Sequence, residues 1–286
     1  MLHSARRSSS KGLDLQANAD TIWQIPAYLP YLQPPLTPEA VALAEEAIGY
    51  KLPTEYLDLL RKQNGGYIRF ALPDLPHDTV AGIGPYFPSL TDFDWEHCID
   101  EVSFPLTGLI PFDGDGHWYL CLDYRLNSTV PTVTYVDVES DHQSDVAGTF
   151  GAYLTKLRLD IGDIYVIESV TELERATTHL ASALGTEFEA PETQSYGYPT
   201  HRAALKRNGA SGWVWISPNR VKRGFVRPED ARYEELNNML PGEADRYPGL
   251  PANCYLLSAT GNALPSVLDA FVRSQLSVNP LSKYLR

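Results

Sequence analysis

Cysteine is scarce in this sequence. Cys98, Cys121 and Cys254 are the whole complement among 286 residues, odd in number, widely spaced and without a C-x-x-C pair. That pattern excludes a disulfide framework and a cysteine-based zinc site, and it suits a reducing compartment. No apolar stretch approaches the ~20 residues that span a bilayer, so no membrane partner is expected. The start, Met1 to Lys11, carries basic residues with no apolar run behind them. It does not read as a secretory signal; residues 1–20 are expected to be a disordered lead-in and the protein to be cytoplasmic. Catalytic signatures are missing too: there is no H-E-x-x-H, G-x-x-x-x-G-K-[ST] or G-x-S-x-G. Gly82-Ile-Gly84 is followed by Pro85, and Phe87 stands where a dinucleotide fingerprint needs its third glycine.

What is present is a globular composition with an acidic balance. Hydrophobic residues make up 43% and charged residues 21%, which excludes wholesale disorder. The net charge of −13 disfavours generic binding to nucleic acid or anionic membranes. The charge is unevenly placed. Residues 1–160 hold 10 Lys/Arg against 22 Asp/Glu, a net of −12, whereas residues 161–286 hold 13 against 14, a net of −1. From Phe70 to Tyr124 the acids are Asp74, Asp78, Asp92, Asp94, Glu96, Asp100, Glu101, Asp113, Asp115 and Asp123, with no Lys or Arg. From Thr193 to Pro228 the reverse holds: Arg202, Lys206, Arg207, Arg220, Lys222, Arg223 and Arg227 occur without a carboxylate. Such runs are solvated faces, facing partners across a domain boundary, or docking surfaces for an oppositely charged molecule.

Residues 21–36 read as a proline-punctuated apolar arm. Thr37 then caps a helix with Pro38 in its first position, and Gly49 closes it. Pro53 opens a second helix with Tyr56, Leu59 and Leu60 inward, ended by Asn64-Gly65-Gly66. Gly108 to Asp123 is strand, acidic glycine turn, strand, a hairpin pattern. Val133 to Val138 adds a strand. Asp145 is expected to cap a helix whose apolar positions are Val146, Phe150, Tyr153, Leu154 and Leu157. After a boundary near residue 160, a strand at Ile164–Ile167 leads through the capping box Ser169 to Glu172 into a helix lined by Leu173, Ala176, Leu180 and Leu184. Phe188 is placed in a short strand and residues 190–212 in a loop. Trp213 to Ile216 and Phe225-Val226 are placed in a hairpin, with a strand at Tyr255–Leu257 and a final helix. The order argues α+β: helices packed on a mainly antiparallel sheet over 21–160, then a second, smaller α+β domain over 161–286.

Few constellations offer chemistry. Asp113-Gly-Asp-Gly-His117 resembles a metal loop but lacks the later EF-hand ligands, since Trp118 and Tyr124 stand where glycine and glutamate belong. A tight turn is its default reading. The seven histidines show no pair at ligand spacing, and His97 beside Cys98 would point to the opposite face of a strand. No metal and no cofactor are expected. Trp213 and Trp215, among tyrosines and basic residues, resemble a nucleic-acid stacking platform in composition, with burial in the core as the default.

The run Ile48-Gly-Tyr-Lys-Leu-Pro-Thr-Glu-Tyr56 after Glu45 or Glu46, then Leu59-Leu60 and Asn64-Gly-Gly66, resembles the opening signature of the SUKH superfamily of Smi/Knr-like domains. Asp113-Gly-Asp-Gly116, Tyr119 to Asp123, Glu139 and the segment from Val146 to Leu154 follow that family's order, over about residues 36–158. The resemblance implies a structural role for Leu52, Pro53, Asn64, Gly65 and Gly66, and binding rather than catalysis. Bacterial members of the family are immunity proteins that neutralise toxins of polymorphic or contact-dependent systems; fungal members are scaffold-like regulators of cell-wall synthesis. The expectation is therefore a non-enzymatic protein whose acidic surface covers the basic active cleft of a cognate toxin, a nuclease being one fitting class. The candidate contacts are Asp92, Asp94, Trp95, Glu96, Asp100, Glu101, Asp113 and Asp115. A scaffold module and an unrecognised activity in the C-terminal half are the alternatives.

Overall fold

The computed structural model describes residues 16–95, 98–168, 173–207, 210–251, 253–273 and 277–285. The described chain falls into two compact units that meet in sequence between Asp160 and Ile161. Both combine helices with antiparallel sheet, so the α+β reading holds.

In the N-terminal unit the arm is ordered and strand-like in places. Trp23 bridges Ile68, the Arg69 amide donates to the Ile22 carbonyl, and Ile22, Trp23, Tyr28, Leu29 and Leu32 are buried. Residues 16–20, expected to be part of a disordered lead-in, form a turn in which Asn18 Oδ1 accepts the Asp20 amide and Ala17 is buried. Residues 1–15 lie outside the described residues. Helix α1 (Pro38–Ile48) starts on the Thr37 hydroxyl, which accepts the Ala40 amide, and ends on left-handed Gly49. Helix α2 (Thr54–Lys62) buries Tyr56, Leu59 and Leu60 and carries Arg61 and Lys62 in its last turn, where cations suit the helix dipole.

The main sheet has four strands in sequential order, β1 (Leu109–Gly114), β2 (Trp118–Asp123), β3 (Thr132–Asp137) and β4 (His142–Ala147). The hairpin predicted over Gly108–Asp123 is β1–β2. Asp145 does not cap a helix. It lies in β4, opposite Thr134, and the cap of helix α3 (Phe150–Lys156) is Thr149, whose hydroxyl accepts the Ala152 amide. Four aromatic rings hold the helices to the sheet: Tyr56 and Phe112 each meet Phe150, at 5.3 and 5.6 Å, and Phe150 lies 5.0 Å from Tyr153. Edge-to-face contacts of this kind add about 1 kcal/mol each beyond area burial.

The C-terminal unit contains β5 (Tyr165–Ile167), α4 (Leu173–Leu184), β6 (His201–Arg207), β7 (Ala210–Pro218), β8 (Tyr255–Ala259), α5 (Leu264–Arg273) and β9 (Val278–Pro280). These five strands form one antiparallel sheet in the order β6-β7-β8-β5-β9, and Arg220–Lys222 pairs with Glu243–Asp245 in a separate two-stranded ribbon. Leu180, Leu184, Val267 and Phe271 from the helices pack on Leu205, Val214, Ile216 and Leu257. Three expectations fail here. Residues 201–207 are a strand rather than loop, because Ala203 and Leu205 face the core while Arg202 and Lys206 alternate outward. Phe225-Val226 does not pair with the tryptophan strand, whose neighbours are β6 and β8. Phe188 lies outside the strands. The proposed capping box at 169–172 and the Ala176 side chain fall outside the described residues.

Candidate functional site

The signature residues act as joints. Glu45, rather than Glu46, accepts the Leu52 amide at 3.0 Å and pairs with Lys51 at 2.5 Å. Burial opposes ionisation of Glu45, but these hydrogen bonds outweigh it and hold its carboxyl below the ordinary glutamate range. Tyr50 stacks on Tyr124 at 4.3 Å, and the Tyr124 hydroxyl donates to the Lys51 carbonyl at 2.7 Å. Leu52 is buried, and Pro53 stands just before α2. Asn64 is buried and ties three chain segments together: its amide donates to Pro34 O at 2.6 Å and Ile83 O at 2.9 Å, and its oxygen accepts the Ile83 amide at 2.8 Å. Gly65 has φ 91°, and a Cβ on it would sit 2.7 Å from the Gly82 nitrogen. The Gly82-Ile-Gly84 run thus serves close backbone approach.

Asp113 is not a surface residue. Its side chain is 4% exposed and accepts from His77 Nδ1 at 2.6 Å, from the Thr79 hydroxyl and amide, and from the Asp78 and Gly114 amides. His77 Nε2 is in turn 2.5 Å from the Tyr153 hydroxyl, so the ring joins Asp113 to Tyr153 through both of its nitrogens. Burial, reinforced by Asp113, pushes the Tyr153 phenol well above the ordinary tyrosine range. The sequence reading of Asp113 as a contact residue is therefore corrected: five donors hold its carboxylate inside. Asp115 points elsewhere and accepts the His117 and Trp118 amides, so the two carboxylates of the glycine turn do not converge on a cation. No metal-binding cluster occurs among the described residues.

Trp95 is likewise a packing residue. Its indole donates to the Leu109 carbonyl at 3.0 Å and its rings meet Tyr119 at 4.8 Å. Together with Phe93, Val102 and Phe104 it packs against a cluster of Cys98, Leu106, Tyr119, Cys121, Val136 and Val138. Glu96 and His97 lie outside the described residues.

The other five candidates, Asp92, Asp94, Asp100, Glu101 and Asp115, are exposed. The loop carrying the first four covers one face of the main sheet, through the cluster just named. It is fastened to the β3–β4 turn by the Ser103 amide, which donates to Asp141 Oδ1 at 2.6 Å. The β1–β2 turn is fastened to the same place: the Val138 amide donates to His117 O at 2.9 Å, and His117 Nδ1 lies 2.7 Å from Glu139. Asp100, Glu101, Asp115, Glu139 and Asp141 thus gather at one end of the sheet, and Asp92 and Asp94 flank Phe93, whose ring meets Tyr119 at that end. Sequence reading missed Asp137, Glu139 and Asp141 as members of this acidic rim. They follow Arg125, beyond the run defined by its lack of basic residues, yet the Glu-Ser-Asp turn after a predicted strand was the available signal. Asp137 accepts the Ser140 amide at 2.9 Å, which holds its carboxyl below the ordinary range and fixes the turn. Arg125 does not neutralise the rim: its guanidinium is committed to Asp123, at 2.6 Å, and to Gln143. Ile99, 60% exposed, stands among the acids beside Asp100.

With this geometry in view, residues 35–156 match the model of the SMI1 / KNR4 family (SUKH-1). This segment is a SUKH domain. Its match spans α1 to α3 and the whole four-stranded sheet, and the acidic rim lies within it. The arm packed on Ile68 and Arg69 precedes the SUKH match, and the C-terminal unit follows it. No curated protein matches the chain. No helix among the described residues is long and apolar enough to cross a membrane.

Proposed function

We propose that the chain is a cytoplasmic, non-catalytic immunity protein whose SUKH domain neutralises a cognate toxin by covering a cationic surface on it. One observation carries this reading: carboxylates from three separate segments, Asp100 and Glu101, Asp115, and Glu139 and Asp141, are brought to one end of a rigid sheet. Asp92, Asp100, Glu101 and Asp115 make no salt bridge among the described residues, so their field is directed at solvent. A concentrated negative field of this kind speeds encounter with a basic cleft by about ten- to a thousandfold. Active sites built for phosphate, those of nucleases above all, are basic clefts. Ile99 supplies the exposed apolar anchor that Trp95, half-buried and hydrogen-bonded to Leu109, does not.

One constellation among the described residues has the order of a catalytic relay, and it is enclosed. Tyr153, His77 and Asp113 have the order of nucleophile, base and orienting carboxylate, but none is accessible to a substrate. The test is co-expression with the toxin encoded beside this gene. Rescue of growth, together with a purified complex that weakens when Asp100 and Glu101 are reversed to lysine, is the expected result. Unrescued growth with no complex would refute the reading.

A further inference from the structure

The C-terminal unit carries a face that the acidic rim does not explain. On β7, Val214 and Ile216 enter the core, so Trp213, Trp215 and Ser217 share the opposite face, away from α4 and α5. The tryptophans were expected in the core; instead Trp213 is 37% exposed and Trp215 half-buried. Their rings lie side by side at 6.5 Å, tilted by 33°. The register sets Arg202 opposite Trp215 and a small, exposed residue, Ala204, opposite Trp213. The Arg202 guanidinium lies 5.1 Å from the Trp213 ring centre, and Lys206 projects from the same face two residues beyond Ala204. The pattern continues past the strand. Arg246 donates to Ser217 Oγ at 2.9 Å and stacks on Tyr198 at 4.2 Å, and Tyr198 stacks on Tyr196, which is 52% exposed. From Trp213 to Ser217 the strand alone covers about 13 Å. Two guanidinium groups are therefore set among four aromatic rings along one track: Arg202, Trp213, Trp215, Arg246, Tyr198 and Tyr196.

We infer that this track binds single-stranded nucleic acid. Bases stack on exposed aromatic rings whatever their sequence, and guanidinium groups set among the rings meet the phosphates between them. Charge complementarity favours this occupant: no carboxylate interrupts Thr193 to Pro228, and Glu189, at 2.5 Å from Arg202, tempers one cation of the strand. The chain as a whole is acidic, so attraction at a distance is weak and stacking carries most of the affinity. The salt dependence is correspondingly shallow, with a log–log slope of about −1 to −2 from two or three phosphate contacts.

The experiment uses the full chain and a fluorescein-labelled oligothymidylate of about 16 nucleotides in about 50 mM salt. Anisotropy reports binding and tryptophan emission reports stacking. Saturable binding that quenches tryptophan emission is expected. The double variant Trp213→Ala, Trp215→Ala should bind at least about tenfold more weakly. The double variant Trp213→Phe, Trp215→Phe keeps a stacking face and should retain binding, which separates lost stacking from lost folding. Four outcomes overturn the inference: no binding of the oligonucleotide; binding unchanged in the alanine variant; heparin, a polyanion without bases, competing as well as DNA; or cellohexaose giving the same quenching, which would assign the face to sugars.

Discussion

Asp113 and Asp115 are two residues apart in one acidic turn, yet they should respond oppositely to the same substitution. In Asp113→Asn the amide nitrogen must replace one carboxylate oxygen. If it replaces Oδ2 it confronts His77 Nδ1 and the amides of Asp78 and Thr79; if Oδ1, the Thr79 hydroxyl and the Gly114 amide. The second arrangement is the cheaper, because the Thr79 hydroxyl can turn to accept from the new amide and only the Gly114 amide is left facing a donor, while the remaining bonds lose their charged acceptor. At roughly 1.5–3 kcal/mol for a hydrogen bond to a charged group, the expected cost is about 2–3 kcal/mol. For a unit of this size that lowers the melting temperature by roughly 10 °C. Asp115→Asn keeps the oxygen that accepts the His117 and Trp118 amides and should leave the melting temperature unchanged. Thermal unfolding followed by tryptophan fluorescence, with circular dichroism as a second probe, compares the two. Asp113→Asn melting with the wild-type protein, or a folded and equally stable Asp113→Asn that fails only in partner binding, would refute the buried role assigned to this carboxylate.

Acid should weaken the SUKH domain through Asp123. Burial resists its ionisation, but hydrogen bonds from Arg125 and Thr134 prevail and set its folded-state affinity for protons below the unfolded value, near 3.9. Its stabilisation is therefore complete above about pH 4 and is lost as pH falls through the lowered value, so the urea midpoint should drop there, and less steeply in Asp123→Asn. Thr149→Ala removes the hydroxyl that accepts the Ala152 amide at the start of α3 and should cost about 1 kcal/mol in urea unfolding. Gly65→Ala should destabilise far more than Gly49→Ala, since both glycines have positive φ but only at Gly65 does the new methyl meet backbone; equal melting temperatures for the two variants would contradict this.

Local signals were legible where one residue decides the backbone. Thr37-Pro38 and Gly49 bracket α1, and the alternation around the Gly116 turn gives the β1–β2 hairpin. Reading failed where pairing across the chain decides. Asp145 can cap a helix by its local sequence, but its opposite number Thr134 draws it into β4. Arg202 and Lys206 made β6 look like loop, because a strand with one open face alternates cations with Ala203 and Leu205. The same limit governs the site. Asp113 and Asp115 are chemically alike in sequence, and donors some 35 residues away, His77, Asp78 and Thr79, hold one of them inward. The acidic rim was half visible: Asp92, Asp94, Asp100, Glu101 and Asp115 belonged to an obvious run, while Glu139 and Asp141 join it only because Ser103 and His117 fasten three turns together.

The gathered carboxylates are proposed to guide and hold a cationic protein. The measurement that tests this is the association rate between the purified chain and the proposed cognate toxin, against salt, for the wild type and for the double variant Asp100→Lys, Glu101→Lys. The account predicts an association rate at least about tenfold lower in the variant and a shallower salt dependence, with dissociation changed less. Identical association rates for the two proteins at low salt would contradict it.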